Sequence, residues 1–359
     1  MDLAAVRAEL PVLERLAYLN AGTMGPLPRR SAEATVAWTR RLLEEGRSSR
    51  ALFEELLAMR ERLREEIARL LGTEADAIAL TTATTDGCNI VLTGLGLGPG
   101  DEVVTTDSEH PGLFGGLVAS GATLRIAEVR DRPAAEALPA LEAQITERTR
   151  LIAVSHVSWL SGAVLPLAEL AGRGIPVLVD GAQAAGTIPV DVAELGCDFY
   201  TVSAQKWLLG PEATGALYVS PKRVEELRMT FSSYLSWRHP DYEPREGAAR
   251  FDPGWIPAGS VGGLLESLAF AQELGAERFS RARTMAERCR DLVGERAELV
   301  TDPGQATLVS WKAADPEEQR RRLAEAGVTV RDLPGTGWVR ASCGFWTSEE
   351  DLERLARGI

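Results

Sequence analysis

The stretch VLVDGAQAAGTIPVDVAELGCDFYTVSAQKWLLGPEATGALYVS, residues 177–220, carries the strongest structural signal in this sequence. It contains three short apolar runs, VLV, FYTVSA and GALYVS, and such runs are typical of strands that are buried on both faces of a sheet. Asp180 follows the first run directly, and Lys206 follows the second. Because a buried carboxylate needs a partner, packing alone does not explain Asp180. This stretch therefore predicts a buried sheet with charged side chains at the ends of its strands.

Four more β-rich runs precede this stretch. In chain order, the seven predicted strands are AIALTT (77–82), EVVTTD (102–107), TLRIAEV (123–129), LIAVSHV (151–157), PVLVDGA (176–182), FYTVSA (199–204) and GALYVS (215–220). Most are separated by stretches long enough for a helix, which is the spacing of crossover connections in a parallel sheet. Helical periodicity dominates from Pro28 to Leu71, and Gly72 is the predicted stop. We therefore predict an α/β fold class with a seven-stranded, mainly parallel sheet.

The chain length indicates two domains, because 359 residues exceed one ordinary core. After about Trp237 the sequence becomes rich in proline and tryptophan, and it then shows two helical stretches, a short strand pair and a final helix. We predict a large α/β domain over residues 18–235. A smaller C-terminal α+β domain is predicted over residues 236–359, with residues 1–17 packed on it.

The composition excludes several classes of protein. A formal charge of −13 disfavours binding to nucleic acid or to an anionic membrane. The four cysteines are widely spaced without a CxxC pair, so no disulfide framework and no metal site is predicted. There is no basic-then-apolar signal pattern and no apolar run of about 18 residues. We predict a cytoplasmic protein that binds a small molecule.

In an open parallel sheet, ligands bind beyond the carboxyl ends of the strands. Polar and aromatic residues follow several of the predicted strands and are expected to converge on one crevice. They are Thr84, Thr85, Glu109, His110, Trp159, Asp180, Gln183, Gln205 and Lys206.

Lysine is rare in this chain, which makes Lys206 conspicuous. Only three of the 39 basic residues are lysines, and Lys206 alone has apolar neighbours on both sides. A desolvated lysine can lose its proton and attack a carbonyl, whereas arginine cannot. The alternative is a surface lysine whose stem lies along apolar side chains. Lys222 is expected at a solvated helix start and Lys312 at the edge of a loop.

A reactive lysine, a strand-end aspartate and an anion-binding helix start together suggest pyridoxal 5′-phosphate as the cofactor. Thr84 and Thr85 stand between a strand and a helix, where they either bind the phosphate or cap the helix. Lys206 would form the Schiff base, and Asp180 would keep the pyridine nitrogen protonated. His110 either lies against the ring or is a satisfied loop histidine. The segment GLGLGPG (94–100) follows a predicted helix, so we interpret it as a turn rather than as a dinucleotide loop.

Residues 177–220 resemble the class V aminotransferase and cysteine desulfurase family of fold type I pyridoxal enzymes. The resemblance rests on the Asp-x-x-Gln step and on the lysine before a Gly-Pro turn. Further matches are YLNAGTMGPLP (18–28), TTATTDGCNIV (81–91), SEHPG (108–112), VSHVSWLSG (154–162) and VRASCGFWTSEEDLERL (339–355). The resemblance thus covers nearly the whole chain.

This resemblance implies a role for each matching residue. Lys206, Asp180 and His110 would be catalytic. The cofactor would be held by Thr84, Thr85, His110, Asp180, Gln183, Ser203, Gln205 and Lys206. Arg340 would clamp the substrate α-carboxylate, with Asn20 and Trp159 beside the substrate. The family also implies a homodimer.

The sequence departs from the desulfurase pattern in ways that bear on the reaction. The segment RDLPGTGWV (331–339) before Arg340 is short and lacks the nucleophilic cysteine, and Cys343 lies after the arginine. Gln205 stands where the desulfurases have histidine, and Trp159 stands where they have asparagine. The pattern favours β-elimination or C–S lyase chemistry on an L-amino acid without a persulfide cysteine.

Other functions remain open at this point. A class V aminotransferase or an amino-acid epimerase is the first alternative. A nicotinamide- or flavin-dependent oxidoreductase would lack a properly placed Gly-rich fingerprint, and a pyridoxal-binding protein without catalysis would not need both Asp180 and Arg340. Trp159, Trp207 and Trp255 are expected either to line an apolar substrate pocket or to serve as plain packing.

Overall fold

A computed structural model describes all 359 residues. The strands are β1 (Ala17–Tyr18), β2 (Ile78–Thr81), β3 (Glu102–Thr106), β4 (Thr123–Ala127), β5 (Thr149–Ser155), β6 (Val177–Asp180), β7 (Phe199–Ser203), β8 (Gly215–Val219), β9 (Trp237–Arg238), β10 (Glu243–Pro244), β11 (Leu308–Lys312), β12 (Val328–Thr329), β13 (Arg331–Leu333) and β14 (Trp338–Ser342). The α-helices are α1 (Leu3–Ala8), α2 (Arg29–Glu45), α3 (Arg50–Leu71), α4 (Thr84–Leu95), α5 (Pro111–Ala119), α6 (Ala137–Glu142), α7 (Leu167–Ala171), α8 (Val192–Leu195), α9 (Ala258–Leu274), α10 (Glu277–Gly294), α11 (Pro316–Glu325) and α12 (Glu349–Arg357).

The predicted seven-stranded sheet is confirmed. Its strand order is β2-β8-β7-β6-β5-β3-β4. Strand β8 runs antiparallel to both of its neighbours, and every other pair is parallel. Each predicted run corresponds to one strand, and all residues of β6, β7 and β8 are buried. Burial on both faces explains why these strands are continuous apolar runs rather than alternating ones.

Helices cover both faces of this sheet. On one face, Leu63, Ile67 and Leu71 of α3 join a core cluster with residues of β2, β5 and β6. On the other face, α4 and α5 bury apolar residues such as Val91 and Leu113 against the same strands. This three-layer arrangement is the usual way to bury a parallel sheet, and it leaves only the ends of the strands open to a ligand.

The helical region between Pro28 and Leu71 forms two helices rather than one. Helix α2 ends at Gly46, which has a φ of +83°. The side chain of Ser49 then caps α3 by accepting the N–H of Leu52. Helix α3 ends at the predicted Gly72, whose φ of +68° is the left-handed conformation that glycine adopts easily.

The C-terminal part of the chain contains a second, antiparallel sheet with the order β11-β14-β13. The predicted strand pair is therefore three strands. Helices α10 and α12 pack on one face of this sheet. The N-terminal segment also packs here, because Arg7 binds Asp351 and Val6 is buried with Phe345 and Trp346.

The large sheet draws its core from a longer part of the chain than residues 18–235. Val261, Leu264 and Leu268 of α9 belong to the same core cluster as the strands of the large sheet. The division of the chain at residue 236 stays a prediction. No helix combines the length and the apolar character that a membrane span requires.

Candidate active site

The carboxyl ends of β6 and β7 bring Asp180 and Lys206 to the same edge of the large sheet. Asp180 is the last residue of β6, is buried, and accepts the N–H of Ala182 at 2.9 Å. Lys206 lies three residues beyond β7. Burial lowers the pKa of Lys206 to about 8, the charge of Asp180 opposes this shift, and the positive charge of Arg340 adds to it. A lysine with this pKa has a substantial fraction of reactive neutral amine near neutral pH.

The two other lysines have ordinary surroundings. Lys222 is exposed and lies 2.9 Å from Asp198, and Lys312 is exposed and lies 2.6 Å from Glu298. Lys206 forms no ion pair, although the chain contains 52 acidic residues. This contrast supports the interpretation of Lys206 as a reactive amine.

The start of α4 offers donors for an anion. Thr84 is the first residue of this helix, and its N–H donates to Oγ of Ser203 at 3.1 Å. The carbonyl of Gln205 accepts the N–H of Gly25, while its Oε1 is buried without a partner. The hydroxyl of Thr85 lies beside Gly112 at the start of α5. Free N–H groups and hydroxyls at a helix start are suited to a phosphate.

His110 is hydrogen-bonded at the start of α5, and its predicted position against the cofactor ring stays a prediction. It precedes α5 as the N-cap residue, and its Nδ1 accepts the N–H of Gly112 at 3.0 Å. Because Nδ1 accepts this N–H, Nε2 is left for other contacts, and burial, followed by the charge of Lys206, lowers the pKa of His110. The ring meets that of Trp159 edge-on, with centroids 5.2 Å apart. The helix start therefore fixes the orientation of His110 without using Nε2.

Gln183 forms hydrogen bonds with the N-terminal segment and with Trp207, which follows Lys206. Its Nε2 donates to the carbonyl of Gly22 at 2.8 Å, and its Oε1 accepts the indole N–H of Trp207 at 2.8 Å. A Cβ at Gly22 would lie 2.6 Å from Nη2 of Arg340, and one at Gly25 would lie 2.1 Å from the carbonyl oxygen of Lys206. Glycine is required at both positions because the backbone passes so close to these two residues.

Arg340 is buried in the middle of β14 without a carboxylate partner. It is 1% exposed, and its Nη1 donates to the carbonyl of Trp159 at 2.5 Å. Its Nε is buried and has no partner. Burial, and then the positive charge of Arg331, lower the pKa of Arg340 to about 9. An anionic ligand would relieve both effects, which suits the predicted role of Arg340 as the carboxylate clamp.

Asn20 is half-buried and lies next to the end of β14. It forms a β-bridge with Ser342, and its Oδ1 accepts the hydroxyl of Thr23 at 2.8 Å. The amide oxygen of Asn20 thus closes a local turn. Oγ of Ser342 accepts the N–H of Gly22, so Ser342 helps to hold the N-terminal segment. The sequence analysis missed Ser342, although its place two residues after Arg340 in a strand puts both on one face.

The two faces of β14 have different roles. Arg340 and Ser342 face the site, whereas Val339, Ala341 and Cys343 belong to the core of the C-terminal sheet. The other three cysteines, Cys88, Cys197 and Cys289, are also buried. Burial raises the pKa of Cys197 to about 12, and the pKa of Cys343 is raised by its contact with Cys289 and by burial. No cysteine of this chain presents a thiolate beside Arg340.

The three tryptophans occupy three different environments, and in the single chain Trp207 and Trp255 fit the packing alternative. Trp159 contacts His110 and Arg340, and Trp207 is buried beside Gln183. Trp255 instead stacks on Phe53, with ring centroids 5.7 Å apart. Of the three, Trp159 is the one that binds Arg340, through its carbonyl.

Several predicted site residues have a buried polar atom without a hydrogen-bond partner. Such atoms are uncommon in folded proteins. Three of those in this chain belong to predicted site residues: Nε1 of Trp159, Oε1 of Gln205 and Nε of Arg340. A reactive amine, a strand-end carboxylate, donors for a phosphate and an unpaired guanidinium fit pyridoxal phosphate and an amino acid.

Comparison with known proteins agrees with this geometry. The family model described as aminotransferase class-V matches residues 18–355. The chain belongs to the class V aminotransferase family. This enzyme is 33% identical to isopenicillin N epimerase of Streptomyces clavuligerus, over 100% of this chain and 98% of that protein. It is 27% identical to a probable cysteine desulfurase of Methanothermobacter thermautotrophicus, over 99% and 96% of the two chains.

Two solved structures of C-DES are similar to this class V enzyme. One is a lysine-to-alanine mutant with glycine covalently linked to the PLP cofactor, with a TM-score of 0.93, 30% identity and 98% of each chain covered. The other is the complex of the cystine C–S lyase C-DES with its reaction product cysteine persulfide, with a TM-score of 0.91, 30% identity and 97% and 98% of the chains covered. The predicted family, fold type, enzyme class and pyridoxal phosphate cofactor are confirmed.

Arg331 is a second residue that the sequence analysis missed. It lies in β13 directly opposite Arg340 of β14, and its charge lowers the pKa of Arg340. The sequence analysis predicts a short strand pair in the C-terminal part but does not place the segment RDLPGTGWV in it. Two glycines and a proline between Leu333 and Trp338 are the turn signal that would have placed these arginines side by side.

Proposed function

We propose that this enzyme is a C–S lyase that cleaves the bond between the β-carbon and sulfur of an S-substituted L-cysteine. The observation that carries the proposal is the combination of Lys206 and Arg340 with a strand face that holds no thiol. The similarity to the cystine C–S lyase C-DES supports the same reaction.

Arg340 would bind and orient the substrate. Its guanidinium is held in place by the carbonyl of Trp159, so its remaining N–H groups are oriented before the ligand arrives. An amino acid whose α-carboxylate pairs with Arg340 would place its α-carbon between Arg340 and Lys206. The charge of Arg340 contributes to lowering the pKa of Lys206, and one short segment passes close to both residues, with Gly22 beside Arg340 and Gly25 beside Lys206.

Lys206 would hold the cofactor covalently before the substrate binds and would then move the proton at the α-carbon. When bound, pyridoxal phosphate supplies an electron sink that stabilises negative charge at that carbon. Asp180, fixed by the N–H of Ala182, would keep the pyridine nitrogen protonated. Thr84, Thr85, Ser203 and Gln205 would hold the phosphate, Gln183 would lie near the ring hydroxyl, and His110 would lie against the ring.

The sulfur would leave with the electron pair of the broken bond between carbon and sulfur. No protein thiol lies at the site to accept the sulfur as a persulfide. After Lys206 takes the α-proton, the bond between the β-carbon and sulfur breaks, and the sulfur departs as a thiol or persulfide. The remaining three-carbon fragment takes up water and yields pyruvate and ammonia. Cys343 points into the core and would take no part.

The test is an analysis of all products formed from L-cystine, from an S-alkyl-L-cysteine and from L-cysteine. We expect pyruvate and ammonia in equal amounts, together with cysteine persulfide from L-cystine, an alkyl thiol from the S-alkyl-L-cysteine and hydrogen sulfide from L-cysteine. Alanine with a persulfide on Cys343 would contradict elimination. A keto acid without ammonia, accompanied by the amine form of the cofactor, would show an aminotransferase.

Epimerisation is the second candidate, and the identity of 33% to isopenicillin N epimerase favours it. An epimerase also removes the α-proton, but it returns a proton on the opposite face. Incubation of L-amino acids in deuterium oxide, followed by chiral chromatography, separates the two reactions. A D-amino acid carrying deuterium, formed faster than pyruvate, would make epimerisation the main reaction.

We further propose that the enzyme is a homodimer. The surface around α2 and α3 exposes Val36, Leu43, Phe53 and Tyr234, of which Leu43 is 83% exposed. Leu43, Phe53 and Tyr234 line a groove of about 800 Å³. A soluble protein seldom leaves such an apolar surface uncovered, and a second copy of the chain would cover it. Sedimentation analysis should show a dimer for the native enzyme and a monomer for Leu43→Glu, whereas a native monomer would contradict the proposal.

A further inference from the structure

Glu109 is a buried glutamate between the end of β3 and the start of α5, directly before His110. Its Oε1 accepts the hydroxyl of Thr106, the last residue of β3, at 2.7 Å. Its Oε2 accepts the backbone N–H of Ser155, the last residue of β5, at 2.9 Å and the hydroxyl of the same residue at 2.6 Å. Three donors therefore fix the carboxyl of Glu109 at the carboxyl edge of the large sheet.

This carboxyl lies next to the strand end that carries Asp180. Ser155, which binds Glu109, is the register partner of Asp180 in the parallel pair of β5 and β6. Neighbouring strands are about 4.8 Å apart, so Glu109 and Asp180 are carboxyl groups at adjacent strand ends. When two carboxyl groups share a site, their repulsion raises the pKa of one of them.

The two buried glutamates at the ends of β3 differ in how their charge is balanced. Glu102 begins this strand and pairs with Arg148, and a hydrogen bond from Thr146 and then the charge of Arg148 lower its pKa. Glu109 has no cation within ion-pair distance. Burial raises the pKa of Glu109 to about 7, its hydrogen bonds oppose this shift, and the charge of Asp180 adds to it. Glu109 thus changes its charge near neutral pH, whereas Glu102 does not.

Several other titratable or charged groups surround Glu109. They are Cys88 of α4, Asp107 and His110 of its own segment, Arg130 after β4 and Asp180 of β6. Arg130 donates to the carbonyl of Asp107, and Nδ1 of His110 accepts the N–H of Gly112, so neither of them binds Glu109. Burial and then the charge of Asp180 raise the pKa of Cys88, so this thiol stays neutral. Among these groups, Asp180 has the largest effect on the pKa of Glu109.

The hydroxyl groups around Glu109 suit both of its protonation states. Oε2 is occupied by the two donors of Ser155, so a proton on Glu109 would sit on Oε1. The hydroxyl of Thr106 would then accept that proton and turn its own hydrogen toward Oγ of Ser108, which lies 3.1 Å away. A hydroxyl can both donate and accept, so Glu109 can gain or lose its proton without leaving a polar atom unpaired.

We propose that Glu109 is a positioning residue that acts on the cofactor through Asp180. With a proton on Glu109, one negative charge lies near the pyridine nitrogen, and without that proton there are two. The second charge favours the protonated ring nitrogen, the form that withdraws electrons from the substrate. This inference rests on the proposed function for the placement of the ring nitrogen at Asp180.

The first measurement follows the proton on Glu109. Infrared difference spectra of the holoenzyme are recorded across a pH series. Isotope-labelled glutamate identifies the band of a protonated glutamic acid, and loss of the band in Glu109→Gln assigns it. We expect a band whose midpoint lies at least about one pH unit above the value of about 4.3 for an exposed glutamate.

The second measurement follows the ring nitrogen. The holoenzyme is loaded with pyridoxal phosphate that is isotope-labelled at this nitrogen, and its NMR resonance is recorded over the same pH series. We expect a step in the chemical shift with the same midpoint as the infrared band of Glu109. The step should be absent in Glu109→Gln, which keeps the shape without the charge, and present in Glu109→Asp, which keeps the charge. A purely structural role would give the reverse order.

A further variant keeps Glu109 itself. Thr106→Val removes a hydroxyl that favours the ionised carboxyl, so the infrared midpoint and the nitrogen step should move together to higher pH by at least about half a unit. The matched control is Glu102→Gln, which removes the carboxyl at the other end of β3 and should leave both midpoints unchanged.

Three results would overturn the inference: no glutamic acid band that titrates above the ordinary range, a nitrogen resonance that does not follow this band, or a step that survives in Glu109→Gln. Neither measurement involves turnover. A nitrogen step that follows Glu109 in an enzyme that forms no pyruvate would therefore leave the role of Glu109 intact and contradict only the lyase proposal.

Discussion

This chain contains two arginine pairs that differ in how their charge is balanced. Arg60 and Arg64 of α3 share the carboxylate of Asp252, each at 2.9 Å. Asp252 also accepts the N–H of Leu80 at 2.8 Å, so it joins α3 to β2. Arg331 and Arg340 are adjacent in the C-terminal sheet and have no carboxylate at all.

The difference separates a structural pair from a functional one. A buried charge is costly unless a partner compensates for it. In the first pair the chain provides that partner. In the second pair the partner has to come from outside, and we propose that it is the substrate. Charges that a fold leaves unbalanced are therefore a guide to what it binds.

The largest expected effect is a loss of stability at Arg60 and Arg64, whose charges Asp252 balances. Asp252→Asn leaves two buried guanidinium groups without a counter-charge and should lower the free energy of unfolding by about 3–5 kcal/mol. Urea denaturation of the variant and the native enzyme measures this. The control is Glu61→Gln, because Glu61 is an exposed partner of Arg64 and should cost less than about 1 kcal/mol. If both substitutions lowered the free energy of unfolding by the same amount, the buried ion pair would stabilise the fold no more than an exposed one.

The next largest effect is expected on ligand binding at Arg340, which has no carboxylate partner in the chain. Arg340→Ala should weaken the binding of an amino acid by about 2–5 kcal/mol, because the α-carboxylate loses its paired charge. The cofactor should remain bound, and the free energy of unfolding should not fall by the amount seen for Asp252→Asn. Calorimetric titration and cofactor absorbance measure the two bindings. If the cofactor is lost and amino-acid affinity survives, Arg340 belongs to the phosphate site.

A third prediction concerns the pH dependence of Lys206. Only the neutral amine can attack the cofactor aldehyde, so reconstitution of the apoenzyme should accelerate with pH and level off above about 8, the pKa of Lys206. Arg340→Gln removes a positive charge that lowers this pKa, so the midpoint should move to higher pH. Asp180→Asn removes the opposing negative charge, so the midpoint should move to lower pH. Stopped-flow absorbance at several pH values tests this, and shifts in the reverse directions would refute the assigned neighbours.

The smallest effect on activity is expected at the core face of β14. Cys343→Ala should leave the rate of pyruvate formation unchanged, because Cys343 points away from Arg340 into the core. Its cost should appear only as a loss of stability of about 0.5–3 kcal/mol. A fall in turnover without a fall in stability would show that this thiol takes part in the reaction.

The sequence predicts the large sheet well because each buried strand carries its own local signal. A strand such as VLVD is apolar on both faces, so its identity does not depend on what packs against it. The residues Asp180 and Lys206 could be found for a related reason, since charged side chains directly after such strands stand out against their neighbours.

Features that depend on contacts distant in the sequence were harder to find. Arg331 becomes a site residue only through its register with Arg340. Trp255 was grouped with Trp159 because both are tryptophans, but tertiary packing places Trp255 on Phe53. The break between α2 and α3 at Gly46 was hidden because the helical periodicity continues on both sides of it.

The lysines show the same contrast as the arginine pairs, and they offer the most direct test of the central claim. Lys222 and Lys312 form ion pairs with Asp198 and Glu298, whereas Lys206, which lies at the site, forms no ion pair. We therefore predict that borohydride reduction of the yellow holoenzyme fixes the cofactor on Lys206 alone, as read by peptide mapping with mass spectrometry. A label on Lys222 or Lys312, or no label on any peptide, would contradict the assignment of this site.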